Sequence, residues 1–188
     1  MRAIILRGKK VSLSIPTVED VKRAWIWWND RRVRKHLTSP GEIFFYEEEM
    51  AWYDTLKKEK EKEKVFSIIE NSSKSFVGLI GLHKIDRYNE HAELGYFVGP
   101  EYWGHGFATE AVGLALEYAF IWLKLGKIYA HVFETNLPSI RVLEKNGFQL
   151  AGRLRRHQYV PGEGFVDVLI YERFPGEQTR QNYVRRYP

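Results

Sequence analysis

Apolar and polar residues alternate through "KKVSLSI" (residues 9–15), the period of a half-buried strand. Pro16 breaks the run, and "TVED" (17–20) has the form of a capping box with Asp in place of the usual Glu or Gln. The helix it opens, "VKRAWIWWND", carries Trp25 and Trp28 at helical spacing, and the apolar spacing points Trp25 into the core. A basic, then turn-like segment, "RRVRKHLTSPGEIFF", leads to "YEEEMAWYDTLKKEKEKEK". There Met50, Tyr53 and Leu56 share a helical face, with acids in the first turn and lysines toward the end, as the helix dipole favours. The run "KKEKEKEK" reads as a solvated helix end.

The middle of the chain returns to strand patterns. "VFSIIE" and "FVGLIGLHKI", joined by "NSSK", predict a hairpin; "AELGYFV" follows after the turn "DRYNEH". From Gly104 the period becomes helical, with Ala111, Leu114, Ala115, Tyr118 and Trp122 repeating at three and four. "KIYAHVFE" is again a strand. "NLPSIRVLEKNG" is a short helix with Asn136 as cap, Pro138 in its first turn and Gly147 as terminator. "FQLAGRLRRHQYV" and "FVDVLIYERF" are strands joined by "PGEG". The order β-α-α-β-β-β-α-β-α-β-β predicts an α/β (α+β) protein with a mixed, mostly antiparallel sheet flanked by helices and one β-α-β unit. One domain over residues 1–174, with a short tail at 175–188, accounts for the chain.

Composition narrows the chemistry. The 188 residues are 44% hydrophobic and 28% charged, ordinary for one folded domain. There is no cysteine, so disulfides, thiolate metal sites and a cysteine nucleophile are excluded. No apolar stretch reaches the length of a bilayer span, and a cytoplasmic protein without membrane attachment is the expectation. A net charge of +5 allows an anionic partner: a nucleic acid, a membrane surface or a phosphate-bearing cofactor.

The third of these has a candidate seat. In "YWGHGFATEA" two glycines stand between a strand ending near Val98 and a helix starting near Phe107. The first helical turn leaves backbone N–H groups without partners, and glycines let an anion approach them. A P-loop string does not occur, and the dinucleotide fingerprint fails because Thr109 stands where a third small residue belongs; Glu134 is the sole candidate for a ribose-binding acid.

Two linked strings, "AELGYFVGPEYWGHGFATEAV" and "IYAHVFETNLPSIRVLEKNGF", resemble the GNAT superfamily of acetyl-CoA-dependent N-acyltransferases. They are most similar to the branch with the ribosomal-protein N-terminal acetyltransferases and their spermidine- and antibiotic-modifying relatives. The family's loop, (Q/R)xxGx(G/A), corresponds to Trp103–Ala108, so Trp103 replaces the usual Gln or Arg. The resemblance implies that backbone N–H groups of His105, Gly106, Phe107, Ala108 and Thr109 hold the pyrophosphate of coenzyme A, with the His105 side chain pointing outward. It implies that the main chain of Tyr96, Phe97 and Val98 pairs with the pantetheine arm, and that Phe97 or Val98 donates to the reacting carbonyl oxygen. Asn136 contacts that arm or an ordered water.

Acyl transfer to an amine needs a base, an oxyanion donor and a partner for the departing thiolate; metal is not required. Glu93, in an otherwise apolar strand, is the leading base, with burial expected to raise its pKa. His83 and His131 are alternatives. Leu143 occupies the position where many family members carry a tyrosine acid, so Ser139 is expected to hydrogen-bond the sulfur instead. Trp28, His36 and Tyr159, with Trp27 and Phe44, are candidate lining residues for the acceptor. The implied acceptor is a primary amine, foremost a protein N-terminal α-amine such as that of a ribosomal protein. A small amine (polyamine, aminoglycoside or amino acid) is the alternative, and a homodimer is among the assemblies the resemblance implies. A reading of another class is an inactive module that holds RNA or the ribosome through Arg31, Arg32, Arg34, Lys35, Arg185 and Arg186; no DNA partner is expected.

Overall fold

The computed structural model describes residues 2–37 and 40–176. Eight strands form one sheet: β1 (Ile4–Arg7), β2 (Val11–Ser14), β3 (Lys64–Glu70), β4 (Phe76–Asp86), β5 (His91–Val98), β6 (Lys127–Phe133), β7 (Gln149–Val160) and β8 (Gly164–Arg173). The helices are α1 (Val18–Trp28), α2 (Arg31–Arg34), α3 (Tyr46–Lys58), α4 (Phe107–Glu117) and α5 (Leu137–Lys145). Strand order is β1-β2-β3-β4-β5-β6-β8-β7, antiparallel throughout except for β5 beside β6. The mixed sheet with helices on it is the fold class the hydropathy pattern predicts. Two elements escape that pattern: β1 and the single turn α2. The strand "IILR" has no period-2 alternation, because only Leu6 of its four residues is buried.

Local chemistry explains several boundaries. Thr17 accepts from the Asp20 N–H at 3.3 Å and Asp20 accepts from the Thr17 N–H at 3.0 Å, completing the box at the start of α1. Asp20 is buried and also receives two 2.6 Å bonds from Arg2 and one of 2.8 Å from Ser67, tying the chain start, α1 and β3 together. Burial raises its pKa, but these bonds outweigh burial and hold the carboxyl below its ordinary value. Asn136 caps α5 through the Ser139 N–H, and Gly147 leaves that helix at φ 76°.

On one face of the sheet α4 and α5 bury the main apolar cluster, including Ile80, Leu82, Ala92, Leu94, Ala111, Ala115, Ile128 and Leu143. On the other face α1 and α3 pack together. Trp27, expected at the acceptor pocket, belongs to the core: it is 3% exposed, stacks on Phe76 and meets Phe97 and Tyr102 edge-on. Trp25, expected in the core, is half-buried. Its indole donates to Phe44 O at 2.6 Å and lines a groove of about 620 Å³ between α1 and residues 43–47. The exchange has a simple cause. Val21, Ala24 and Trp27 mark the buried stripe of α1, and Trp25 lies off it.

Candidate active site

The strands β5 and β6 pair in parallel only from His91 with Lys127 to Glu93 with Tyr129. Beyond these pairs β5 runs on to Val98 and β6 to Phe133 with no pairing between them, so the sheet opens into a V. On its other edge β5 stays zipped to β4. The Gly99 N–H donates to Val77 O at 2.9 Å, and alternation along the antiparallel ladder turns Phe97 main-chain groups to β4 and those of Tyr96 and Val98 into the V. Of the two expected oxyanion donors, the Val98 N–H faces the opening and the Phe97 N–H does not. Phe97 instead presents its ring to Trp27 and Trp28.

Directly after β5 the chain makes a short 3-10 turn (Pro100–Tyr102) and enters the glycine corner. Gly104 and Gly106 have φ of 81° and 80°, a region that side-chain-bearing residues rarely occupy. Among the described residues, the backbone N–H groups of His105, Gly106, Phe107, Ala108 and Thr109 have no hydrogen-bond partner. They form the N-terminus of α4, where the helix dipole adds positive potential. His105 is exposed and its ring stacks on Phe107, as the outward orientation requires. Trp103 does not reproduce a polar side chain: its indole donates to Val98 O at 2.7 Å and fastens the loop to the end of β5.

The corner is braced from outside by the β1–β2 hairpin. Glu110 accepts from the N–H groups of Lys9, Lys10 and Val11 at 2.5, 2.7 and 3.1 Å, while Lys10 Nζ donates to His105 O at 2.9 Å. These four contacts are not legible in the sequence, since a hundred residues separate the partners. Bare amides beside an open strand edge fit a diphosphate joined to an extended, amide-bearing arm, the shape of coenzyme A.

Two polar clusters flank the V, one on each face. On the α1–α3 face Glu93 accepts from His131 Nδ1 at 2.8 Å and pairs with Lys84 Nζ at 2.8 Å. Burial alone would raise the Glu93 pKa, the expected direction. The bonds to Lys84 and His131 overcome burial and hold it below the ordinary carboxylate value. The hydrogen bond to His131 and the ion pair with Lys84 engage one carboxylate oxygen each, and His131 itself is exposed. His83 lies opposite Glu93 in the ladder but pairs with Glu63 at 3.4 Å.

On the α4–α5 face the Tyr96 hydroxyl lies 2.8 Å from Ser139 Oγ and 3.2 Å from Ser139 O. Burial pushes the Tyr96 phenol up to about 12, so it stays protonated at neutral pH. The sequence points only to the Tyr96 main chain; its side chain is the surprise. Leu143 is buried in the core and contributes nothing polar.

The expected acceptor rim comes together in part. Trp28 is half-buried and clusters with Phe44, Trp52 and Phe97 on the α1–α3 face. His36 and Tyr159 lie on segments bridged by Lys35 and Glu163 at 3.8 Å, and Tyr159 packs edge-on against Phe165. Burial and neighbouring Lys35 lower the His36 pKa. Thr38 and Ser39 of the same loop, and the tail arginines Arg185 and Arg186, lie outside the described residues. Of the remaining basic residues, Arg32 pairs with Asp30, Lys35 with Glu163, and Arg34 donates to Glu42 O.

Known proteins resemble this chain in sequence and in fold. A family model described as an acetyltransferase (GNAT) domain matches residues 10–149. An uncharacterized N-acetyltransferase of Bacillus licheniformis is 32% identical over 168 residues, spanning 88% of this chain and 93% of that protein. A spermidine N(1)-acetyltransferase of Vibrio cholerae is 34% identical over 101 residues, 54% of this chain and 58% of that protein. The crystal structure of a spermidine N-acetyltransferase from Vibrio cholerae in complex with CoA and spermine is alike in fold. It matches with a TM-score of 0.79 at 24% identity, covering 89% of this chain and 96% of that one. The chain belongs to the GNAT acetyltransferases and is an acetyl-CoA-dependent acyltransferase.

Proposed function

We propose that this enzyme acetylates a primary amine of a small polyamine-type molecule. The observation that carries the catalytic half is the V between β5 and β6, with bare amides at its end and a polar pair on each face. The acceptor half is supported by relatives named spermidine N(1)-acetyltransferases, in Vibrio cholerae and in Escherichia coli, the latter 36% identical over 86 residues. These favour a small amine over the protein N-terminus that the resemblance first implies. A relative named as a putative ribosomal N-acetyltransferase, 36% identical over 88 residues, keeps the peptide as the comparison acceptor.

Acetyl-CoA supplies the activated acetyl thioester. His131 removes the proton that the amine must lose: its Nδ1 is held by Glu93, which leaves the second ring nitrogen free to accept. Glu93 is therefore the positioning residue: its hydrogen bond fixes the ring through Nδ1. The Val98 N–H faces the opening, where the carbonyl oxygen gains charge. Ser139 offers its hydroxyl to the departing sulfur, and Tyr96, protonated throughout, supports that hydroxyl from behind.

Thiol release from acetyl-CoA, measured with spermidine, spermine, an aminoglycoside and an N-terminal peptide, tests the reading. Turnover is expected with the polyamines. In His131→Gln a fall in kcat on the order of a hundredfold is expected, at similar acetyl-CoA affinity. Turnover on the peptide alone would overturn the acceptor assignment, and an unaffected His131→Gln the assignment of the base.

A further inference from the structure

We propose that Lys10 is a cofactor-binding residue and supplies the positive charge that the glycine corner otherwise lacks, facing the diphosphate of coenzyme A. This rests on the acetyl-CoA reading of the corner and adds a residue from outside the loop and its helix.

Three observations lead there. First, the position where related loops carry Gln or Arg is Trp103, and its indole is spent on Val98 O, so this loop sends no charged side chain of its own to the anion. Second, Lys10 arrives from the tip of the β1–β2 hairpin. Its Nζ donates to His105 O at 2.9 Å and stands 3.4 Å from where a Cβ on Gly106 would be, next to two of the residues whose amides are unpartnered. An ammonium has three N–H donors, and a neutral carbonyl takes one of them. Third, the hairpin is fixed. The Glu110 carboxylate binds the N–H groups of Lys9, Lys10 and Val11, so the lysine backbone is anchored to the helix whose N-terminus it faces. The same three bonds engage both Glu110 oxygens. An ammonium beside converging amides is a stronger phosphate seat than amides alone, because the added donor is charged.

The position distinguishes the phosphates of the coenzyme. A cation at the amide corner serves the diphosphate and is indifferent to the 3′-phosphate on the ribose. Lys10 also braces the loop through His105 O, and a purely structural role would weaken both diphosphate ligands without changing how their binding depends on salt.

Calorimetric titration of the wild type, Lys10→Met and Lys10→Arg with coenzyme A, 3′-dephospho-coenzyme A and pantetheine separates these cases. Lys10→Met is expected to weaken coenzyme A and its dephospho form equally, by roughly tenfold, and to flatten the salt dependence of both. Pantetheine binding is expected to be unchanged, and Lys10→Arg to restore most of the loss. Equal affinity of wild type and Lys10→Met for coenzyme A would overturn the proposal. So would a loss confined to coenzyme A, which would move the contact to the 3′-phosphate, or a loss with the salt dependence of the wild type, which would make Lys10 a brace. Failure of the wild type itself to bind coenzyme A would instead remove the reading on which the proposal rests.

Discussion

At the scale of single residues, neighbours rather than residue types decide chemistry. Glu93 is recognisable in the sequence as an acid in an apolar strand, and it stands at the last paired position before β5 and β6 part. Its pKa moves opposite to the expectation because Lys84 and His131, on strands either side, reach it. No sequence pattern announces those partners. Glu49 shows the converse. It reads as one of three first-turn acids, yet it is buried, and burial, with Glu48 nearby, raises its pKa to about 7. Between the unfolded carboxyl's ordinary value and about 7, the folded chain retains a proton that the unfolded chain has released. Stability therefore falls as pH rises through that window and levels off above it. Urea unfolding at pH 5 and pH 8 should show this slope in the wild type. Glu49→Gln should lack it and be more stable at pH 8 by about 2 kcal/mol. The same slope in both proteins would show that Glu49 is not the group responsible.

At the scale of elements, patterns with strong periods were readable and contacts between distant elements were not. The strand–glycine–helix sequence of β5, the corner and α4 is local, and its geometry follows from Gly104, Gly106 and the change of period after them. The parting of β5 and β6 is invisible in either strand alone, since each reads as continuous β structure through the point of separation. Only β2 of the β1–β2 hairpin is legible in the sequence, and three hydrogen bonds that tie the hairpin to α4 converge on one side chain, Glu110. Replacing Glu110 by Gln removes the charge and turns one of the two accepting oxygens into an NH2 donor, which is expected to cost about 1–3 kcal/mol of stability. Hydrogen exchange should rise at the amides of Lys9, Lys10 and Val11 first, while the β3–β4 ladder stays protected. Uniform exchange changes across the sheet, or none at the hairpin, would contradict this role for Glu110.

At the scale of the whole molecule, one sheet does two jobs. Its α4–α5 face is filled by the main core, and its α1–α3 face carries the aromatic cluster of Trp28, Phe44, Trp52 and Phe97 beside the Glu93–His131 pair. The V opens beside the helix N-terminus with a polar pair on each of its faces. The acceptor is the least legible part, because the proposed rim draws on α1, the loop after α2 and the β7–β8 turn, none of which has a diagnostic motif. The central claim is that unpartnered amides at a left-handed glycine hold the cofactor, and calorimetric binding of acetyl-CoA to the wild type and to Gly106→Val tests it most directly. A valine at φ 80° is strained and must displace those amides. The account predicts saturable binding by the wild type and at least roughly tenfold weaker binding by a variant that still folds. Equal affinity in the two proteins would contradict it.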